Sequence, residues 1–194
     1  MNRFTLTAYK TAHNSVWARI DEGKLLDAIE IIRQTYVAGK KIITCGNGGS
    51  ASTASHYITD WNKLVSLATG KHFRGIALTD NVGLITAFAN DIEYSEIFSG
   101  QLAAVADQGD LLIAISGSGN SENTLKALHY ANRNGLKTLA IVGYDGGKMQ
   151  SVAQNVVLFP SFDMQICEDF HLIFGHLVMK SLCNSGIQKD PKSE

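Results

Sequence analysis

Two short polar segments of this chain combine glycines with hydroxyl side chains, a combination suited to holding an anion. The first runs from Cys45 to Ser52 with the sequence CGNGGSAS, and the second runs from Ser116 to Thr124 with the sequence SGSGNSENT. Glycines let a ligand approach the backbone closely, and the free N–H groups at the start of a helix attract anions. Each segment therefore predicts a turn that leads into a helix and binds an anionic ligand.

The second segment indicates the kind of anion. Its three hydroxyls, on Ser116, Ser118 and Ser121, are donors, and no lysine or arginine lies within the segment. A phosphate monoester fits such donors better than a triphosphate, which is usually bound with a lysine and Mg²⁺. Two such segments side by side predict a small phosphorylated metabolite as the ligand. The plainer interpretation, in which Ser121 only caps a helix, remains open at this stage.

A dinucleotide site is the alternative interpretation of the first segment. Residues 46–51 match the pattern G-x-G-x-x-A, which opens the nucleotide-binding unit of Rossmann folds. The acidic residue of that unit is expected about 20 residues later, whereas Asp80 lies about 30 residues on. No lysine follows the glycines, which excludes a Walker loop.

Two pairs of titratable side chains lie at helical spacing elsewhere in the chain. His56 and Asp60 are four residues apart, and Glu168 and His176 are eight residues apart. At about 100° per residue, each pair shares one face of its helix. Two imidazoles and two carboxylates converge if these helices meet. Separate core and surface positions are the alternative for all four residues.

The elements that must position these residues alternate between strand and helix from residue 40 onward. Five short apolar runs predict strands, at 41–45, 74–78, 111–115, 137–142 and 155–159. Helix-length segments are predicted at 49–67, 81–105, 121–133 and 147–153, and a closing helix over 164–184. Strands too apolar to alternate, joined by helices, predict a doubly wound α/β fold with a five-stranded parallel sheet.

The remaining segments complete the expected organisation of the 194 residues as one domain. Residues 1–39 predict two amphipathic packing helices, separated at Gly23. The α/β core is expected over 40–185, and a polar tail over 186–194.

Composition limits the partners and the compartment. Lys and Arg number 17 and Asp and Glu number 18, and no basic run indicates nucleic acid or an anionic membrane. Charged residues make up 18% of the chain, below the roughly 25% typical of soluble domains, which favours a homo-oligomer. Three widely spaced cysteines predict neither a disulfide framework nor a four-thiolate zinc site. With no signal-peptide pattern at the N-terminus, the sequence predicts a cytoplasmic protein.

Five segments together resemble the sugar isomerase (SIS) domain, and more closely the phosphoheptose isomerases. They are GNGGSASTASH at 46–56, TDN at 79–81, ANDIEYSEIFSGQL at 89–102, ISGSGNSENTLKAL at 115–128 and GYDGGKM at 143–149. The resemblance implies a homotetramer with active sites between subunits. It also implies isomerisation of sedoheptulose 7-phosphate to D-glycero-D-manno-heptose 7-phosphate, which supplies heptose to cell-surface polysaccharide.

The resemblance further implies roles for individual residues. Asp60 would act as the catalytic base, with Glu168 as the second candidate, and His176 as the acid. Zinc would be bound by His56, Asp60, Glu168 and His176. The phosphate would be held by Gly48, Gly49, Ser50, Ser116, Gly117, Ser118 and Ser121, and the sugar hydroxyls by Asn47, Asn90 and Asp91.

This chain departs from the family at two of those positions. Asp60 and Glu168 stand where the family has Glu and Gln. Asp60 is one methylene shorter, which retracts its carboxylate by roughly 1.5 Å. Glu168 adds a second carboxylate, which strengthens the set for a divalent cation and makes Glu168 the alternative base. The family's aspartate before the closing helix falls on Gln165, with Asp163 nearby.

A non-catalytic function is the main alternative to an isomerase. Some SIS relatives, such as the replication-initiator-associated DiaA-like proteins, keep the phosphosugar segments but act by binding a protein partner. Those relatives carry an amide where this chain has His176. The imidazole at that position favours an enzyme.

Overall fold

A computed structural model describes residues 5–187 of the chain, with one parallel sheet at its centre. The strands are β1 (Ile42–Gly46), β2 (Gly75–Ala77), β3 (Leu111–Ser116), β4 (Lys137–Val142) and β5 (Asn155–Leu158). Their order across the sheet is β2-β1-β3-β4-β5, and every pair is parallel. The predicted doubly wound α/β fold is confirmed.

Helices cover both faces of this sheet. They are α1 (Leu6–Trp17), α2 (Glu22–Val37), α3 (Gly49–Asp60), α4 (Ser66–Thr69), α5 (Val82–Asp91), α6 (Ser99–Val105), α7 (Glu122–Arg133), α8 (Met149–Val152) and α9 (Met164–Cys183). Alternate residues of β3 enter two separate apolar cores: Leu111 and Ile113 face one core, and Leu112 faces the other. Burial on both faces explains why the strands read as continuous apolar runs.

The two N-terminal helices form as predicted, but the break between them does not lie at Gly23. Helix α1 ends at Trp17, and α2 begins at Glu22. The carboxylate of Asp21 accepts a hydrogen bond from the Lys24 N–H at 3.1 Å and so caps α2. Gly23 therefore lies in the first turn of α2, because the capping aspartate sets the start of the helix.

The helix predicted over 81–105 is interrupted. Helix α5 ends at Asp91, a 3₁₀ turn occupies Tyr94–Glu96, and α6 starts at Ser99. Glu93 has extended backbone, which ends the helical hydrogen bonding. The ammonium of Lys126 on α7 pairs with Glu93 and, at 2.8 Å, with Glu96, which fixes the turn against α7.

The helix predicted over 49–67 runs past its predicted end. After α3, a π-helical turn at Trp61–Val65 leads into α4, which ends at Thr69. The next residue, Gly70, has a left-handed backbone conformation. The larger π turn begins directly after Asp60, a candidate site residue. Such turns recur at functional sites.

The closing helix α9 ends at Cys183, close to its predicted end. Of the predicted polar tail, 188–194 lies outside the described residues. Among residues 5–187, no helix combines the length and the apolar character that crossing a membrane requires.

Candidate functional site

The carboxyl ends of β1 and β3 bring the two polar segments together around an open hollow of about 230 Å³. Ligands of parallel sheets bind at this edge. The hollow is lined by Asn47, Gly48, Gly49, Ser50, Ile115, Ser116, Gly117, Ser118, Ser121, Met164 and Glu168. Eight of the ten residues expected to bind substrate therefore lie on one surface.

Two serine hydroxyls of this hollow accept hydrogen bonds from backbone N–H groups. Ser116 Oγ accepts from the Gly119 N–H at 3.1 Å, and Ser118 Oγ accepts from the Asn120 N–H at 3.3 Å. A hydroxyl that accepts in this way keeps its proton for another acceptor. Ser121 stands at the N-cap of α7, but its side chain makes no capping hydrogen bond. The interpretation that Ser121 only caps the helix with its side chain is therefore wrong.

A network of amides joins the two segments. Asn47 and Asn123 donate to each other's Oδ1 atoms, at 2.9 and 2.8 Å, and the Tyr94 hydroxyl donates to Asn47 Oδ1 at 3.0 Å. The Asn47 side chain is thus bonded to protein on both its donor and its acceptor side. Asn123 and Tyr94 were not identified from the sequence, since a hydrogen-bond network leaves no periodic pattern.

Asn90 and Asp91 are not among the residues that line the hollow. Both are exposed at the end of α5, and the Asn90 amide donates to Asp91 Oδ1 at 2.8 Å.

A second cluster forms where α3 meets α9. His56, Asp60 and His176 each offer a ligand atom within 4.8 Å of the other two. The Nε2 atoms of the two histidines are 3.1 Å apart, and Asp60 Oδ2 lies 3.5 Å from His56 Nε2 and 3.8 Å from His176 Nε2. All three side chains are partly exposed.

The chemistry of this cluster fits a divalent metal ion. Two imidazoles and one carboxylate are a usual protein ligand set of catalytic zinc, which keeps a fourth position open. Ligand atoms about 2.0–2.1 Å from a tetrahedral ion lie about 3.3 Å from one another. The three observed separations between ligand atoms, 3.1, 3.5 and 3.8 Å, lie on both sides of that value. His56, Asp60 and His176 are therefore already placed to hold such an ion.

Glu168 lies in the hollow rather than in the metal cluster. A Cβ atom built on Gly49 would lie 2.2 Å from Glu168 Oε1, so the carboxylate rests directly on the glycine backbone. Eight residues of α9 separate Glu168 from His176, which places them about 12 Å apart along the helix axis although they share a face. In place of the predicted four-residue set, the structure brings three residues together.

Side chains next to the cluster residues hold α3 against α9. The Tyr57 hydroxyl donates to the His171 carbonyl, and Trp61 Nε1 donates to the Gly175 carbonyl at 3.0 Å. Tyr57 and Trp61 are fully buried and stack with ring centroids 4.9 Å apart. At the start of α9, Asp163 accepts from the Gln165 N–H at 3.0 Å and acts as the N-cap.

A larger cleft, of about 700 Å³, lies between the start of α2 and β5. Its lining includes side chains of both signs, Arg19 and Lys24 beside Asp21 and Asp27, and none of the predicted site residues. The smaller hollow has the donors that suit a phosphate, because hydroxyls and N–H groups lie together there at a sheet edge.

Comparison with known proteins places this chain in a family. The sequence profile of the SIS domain matches residues 8–143. The phosphoheptose isomerase of Aliarcobacter butzleri is 37% identical over 182 residues, covering 89% of this chain and 93% of the relative. The structure of a phosphoheptose isomerase from Francisella tularensis superposes with a TM-score of 0.83 at 26% identity, covering 91% of this chain and 95% of that one. For phosphoheptose isomerase GmhA from Neisseria gonorrhoeae the TM-score is 0.82 at 28% identity, with 91% and 93% covered. The chain belongs to the SIS-domain phosphoheptose isomerases.

Proposed function

We propose that this chain isomerises sedoheptulose 7-phosphate to D-glycero-D-manno-heptose 7-phosphate. The observation that carries the proposal is that α3 and α9 each connect the phosphate hollow to the His–Asp–His cluster. Helix α3 begins in the hollow at Gly49 and carries His56 and Asp60, and α9 carries Glu168 in the hollow and His176 in the cluster. The relatives that share the family name support the same reaction.

The separation of the two regions matches the length of such a substrate. Ser50 and His56 are six residues apart on α3, which is about 9 Å along the axis. An extended seven-carbon chain spans about 8 Å, and its phosphate extends it to about 10 Å. A phosphate held by the serines therefore leaves C1 and C2 of the sugar beside the cluster.

Isomerisation moves one proton from C1 to C2 and one proton between the two oxygens. Asp60 takes the proton from C1 and returns it to C2. His176 gives a proton to the C2 oxygen and later accepts the one on the C1 oxygen, using Nδ1 because its Nε2 faces the other two cluster residues. Asp60 faces both histidines with Oδ2, which leaves Oδ1 for the proton transfer. Glu168 is the second candidate base, but its position in the hollow favours contact with the phosphate end.

The cofactor in this proposal is zinc, bound by His56, Asp60 and His176. The ligand types and the separations of their atoms support it. A bound zinc ion supplies positive charge that stabilises the oxygen anion of the enediol intermediate. The remaining predicted ligand, Glu168, would need a different side-chain conformation to reach the ion.

The proposed assembly is a homotetramer, and its support is the apolar surface of α5. This helix buries none of its residues in the described chain, with Val82 68% and Leu84 43% exposed, and Ile92 after it is 63% exposed. An apolar helix face of this kind is normally covered. Three unpaired cysteines, two of them buried, favour the reducing cytoplasm as the proposed location.

A protein-binding function without catalysis is the second candidate, and the geometry favours it less. Binding of a phosphosugar needs only the hollow, whereas the paired imidazoles of His56 and His176 beside Asp60 add acid–base groups. The curated relatives named above are enzymes, which also favours the isomerase.

Incubation of the full chain with sedoheptulose 7-phosphate in D₂O tests the proposal. NMR should show the aldose product, with deuterium incorporated at C2 to the extent that the abstracted proton exchanges with solvent. Unphosphorylated sedoheptulose is the matched control and should react slowly, because it lacks the group that the serines hold. A chain that binds the phosphosugar but returns it unchanged would favour the protein-binding function.

A further inference from the structure

Helix α9 lies close against a side chain of α3 at Gly175, the residue before His176. A Cβ atom at Gly175 would lie 2.2 Å from Cε1 and 2.3 Å from Cδ1 of Tyr57. Carbon atoms in ordinary contact are about 3.5–4.0 Å apart. The Tyr57 ring therefore rests on bare α9 backbone. Because this ring is fully buried and its hydroxyl is bonded to the His171 carbonyl, a side chain at position 175 would either displace the ring or separate the two helices.

Two buried hydrogen bonds fix the register of the same contact. Tyr57 donates to the His171 carbonyl and Trp61 to the Gly175 carbonyl, so donors four residues apart meet acceptors four residues apart. Tyr57 directly follows His56, and Trp61 directly follows Asp60. We call Tyr57, Trp61 and Gly175 the helix clamp. The register that the clamp sets is therefore also the register of the cluster.

Two distances are similar: the length that Asp60 lacks relative to a glutamate, and the movement that a Cβ atom at Gly175 would require. Relative to glutamate, Asp60 is shorter by one carbon–carbon bond, about 1.5 Å. Relief of the contact that a Cβ at Gly175 would make requires a movement of about 1.3 Å, from 2.2 Å to the ordinary contact distance. A glycine at 175 thus recovers most of the distance lost at 60.

We propose that Gly175 and Trp61 are positioning residues that compensate for the short side chain of Asp60. They draw the backbone of α9 towards α3, so that an aspartate reaches the site shared by His56 and His176. The inference rests on the proposed cation site. In this proposal, Gly175 and Trp61 set the spacing of the cation's ligands although they touch neither the cation nor the substrate.

The proposal predicts a specific pattern of metal affinity, measured by competition of Zn²⁺ between the full chain and a chromophoric chelator. Gly175→Ala should weaken affinity about 10- to 100-fold, the range found when residues that orient metal ligands are changed. Asp60→Glu alone should also weaken it, because the longer side chain overfills the closed site. The double variant should bind more tightly than either single variant.

Gly100→Ala is the matched control. Its Cβ would lie 2.2 Å from Phe88 Cε1, an equal clash far from the cluster residues, so it should lower stability and leave Zn²⁺ affinity unchanged. Circular dichroism establishes that each variant folds. If Gly175→Ala does not fold, Trp61→Phe takes its place. It removes the indole donor, and it should weaken binding in the native chain more than in the Asp60→Glu chain.

Three outcomes overturn the inference. The loss of Zn²⁺ affinity in the double variant could equal the product of the losses in the two single variants. That result would show that the glycine and the aspartate act independently. A Zn²⁺ affinity that Gly175→Ala or Trp61→Phe leaves unchanged would show that the clamp does not set the site. A native chain that binds no divalent cation would overturn the proposed cation site as well, and only that outcome affects both.

Discussion

The Nε2 atoms of His56 and His176 lie 3.1 Å apart although 120 positions separate the two residues in the chain. Both face Asp60 Oδ2, so three possible ligands of one ion converge. Such a preformed site binds its ion without a large ordering cost. The arrangement also places a carboxylate and an imidazole together, as a proton transfer between neighbouring carbons requires.

Removal of divalent metal should abolish isomerisation, and Zn²⁺ should restore it, because the enediol oxygen would lose its stabilising charge. Activity and metal content, measured in parallel through dialysis against a chelator and readdition of Zn²⁺, check this. Full activity of metal-free protein would contradict the predicted requirement for a divalent metal.

His176→Ala should lower kcat about 100- to 10,000-fold and leave phosphosugar binding intact. His129→Ala is the matched control, since His129 is exposed on α7.

Asp60 and Glu168 should respond differently to loss of charge. Asp60→Asn should lower kcat at least about 100-fold, because it removes the base at the cluster. Glu168→Gln should leave kcat nearly unchanged and lower KM about tenfold, because it removes a carboxylate from the hollow proposed to bind the phosphate dianion. Steady-state kinetics with sedoheptulose 7-phosphate separates the two effects. An inactive Glu168→Gln chain together with a tolerant Asp60→Asn chain would move the base to α9.

The strands and the meeting of the two polar segments at one sheet edge were predictable because local rules determine them. Continuous apolar runs identify buried parallel strands, and the glycine–serine segments follow strands whose carboxyl ends share that edge. The break between α1 and α2 was predicted incorrectly, because the capping strength of Asp21 outweighs the helix-breaking tendency of Gly23.

The position of Glu168 depends on tertiary structure that spacing does not describe. Its eight-residue spacing from His176 establishes a common helix face, but the rise along α9 decides which neighbour each side chain meets. The role of Gly175 was hidden for the same reason, since a helix crossing depends on residues from two distant segments. Asn123 and Tyr94 act through hydrogen bonds to Asn47, for which the sequence has no periodic signal.

Loss of the Ser118 and Ser121 hydroxyls should weaken substrate binding specifically. Two hydrogen bonds to a charged phosphate contribute about 1.5–3 kcal/mol each, so Ser118→Ala with Ser121→Ala should raise KM at least about tenfold. The fold should be little affected, because Ser121 does not cap α7 through its side chain and the hydroxyl of Ser118 accepts one exposed hydrogen bond, from the Asn120 N–H. Steady-state kinetics and a thermal melt measure the two effects. Ser151→Ala on the exposed end of α8 is the matched control, and an unchanged KM would place the phosphate elsewhere.

The exposed face of α5 should be a subunit contact. Sedimentation equilibrium of the native chain should give four times the 21.0 kDa of one chain. Val82→Glu with Leu84→Glu should shift the mass towards smaller species, because two charges would enter an apolar interface. Leu67→Glu on α4, also exposed, is the comparison variant for a general effect of added charge. A native mass near that of one chain would contradict the assembly.

Stability in acid should depend on His171, which lies fully buried on α9. Burial lowers the pKa of His171 to about 4, and a hydrogen bond with the Val142 backbone opposes this shift more weakly. In the unfolded chain the pKa returns to about 6.5, so between these values the unfolded chain binds a proton that the folded chain does not. Stability is therefore highest above about pH 6.5 and falls as the pH drops, with a total loss of about 3 kcal/mol once the pH is below 4.

His171→Leu should remove this part of the acid sensitivity, because an apolar side chain of similar size has no proton to bind. Urea unfolding at about pH 7 and about pH 4.5 measures the free energy of unfolding at both ends of the window. The difference between the two pH values should be smaller in His171→Leu than in the native chain. His129→Leu, which changes an exposed ring, should keep the native difference. An equal pH dependence in the native chain and His171→Leu would show that other groups control unfolding in acid.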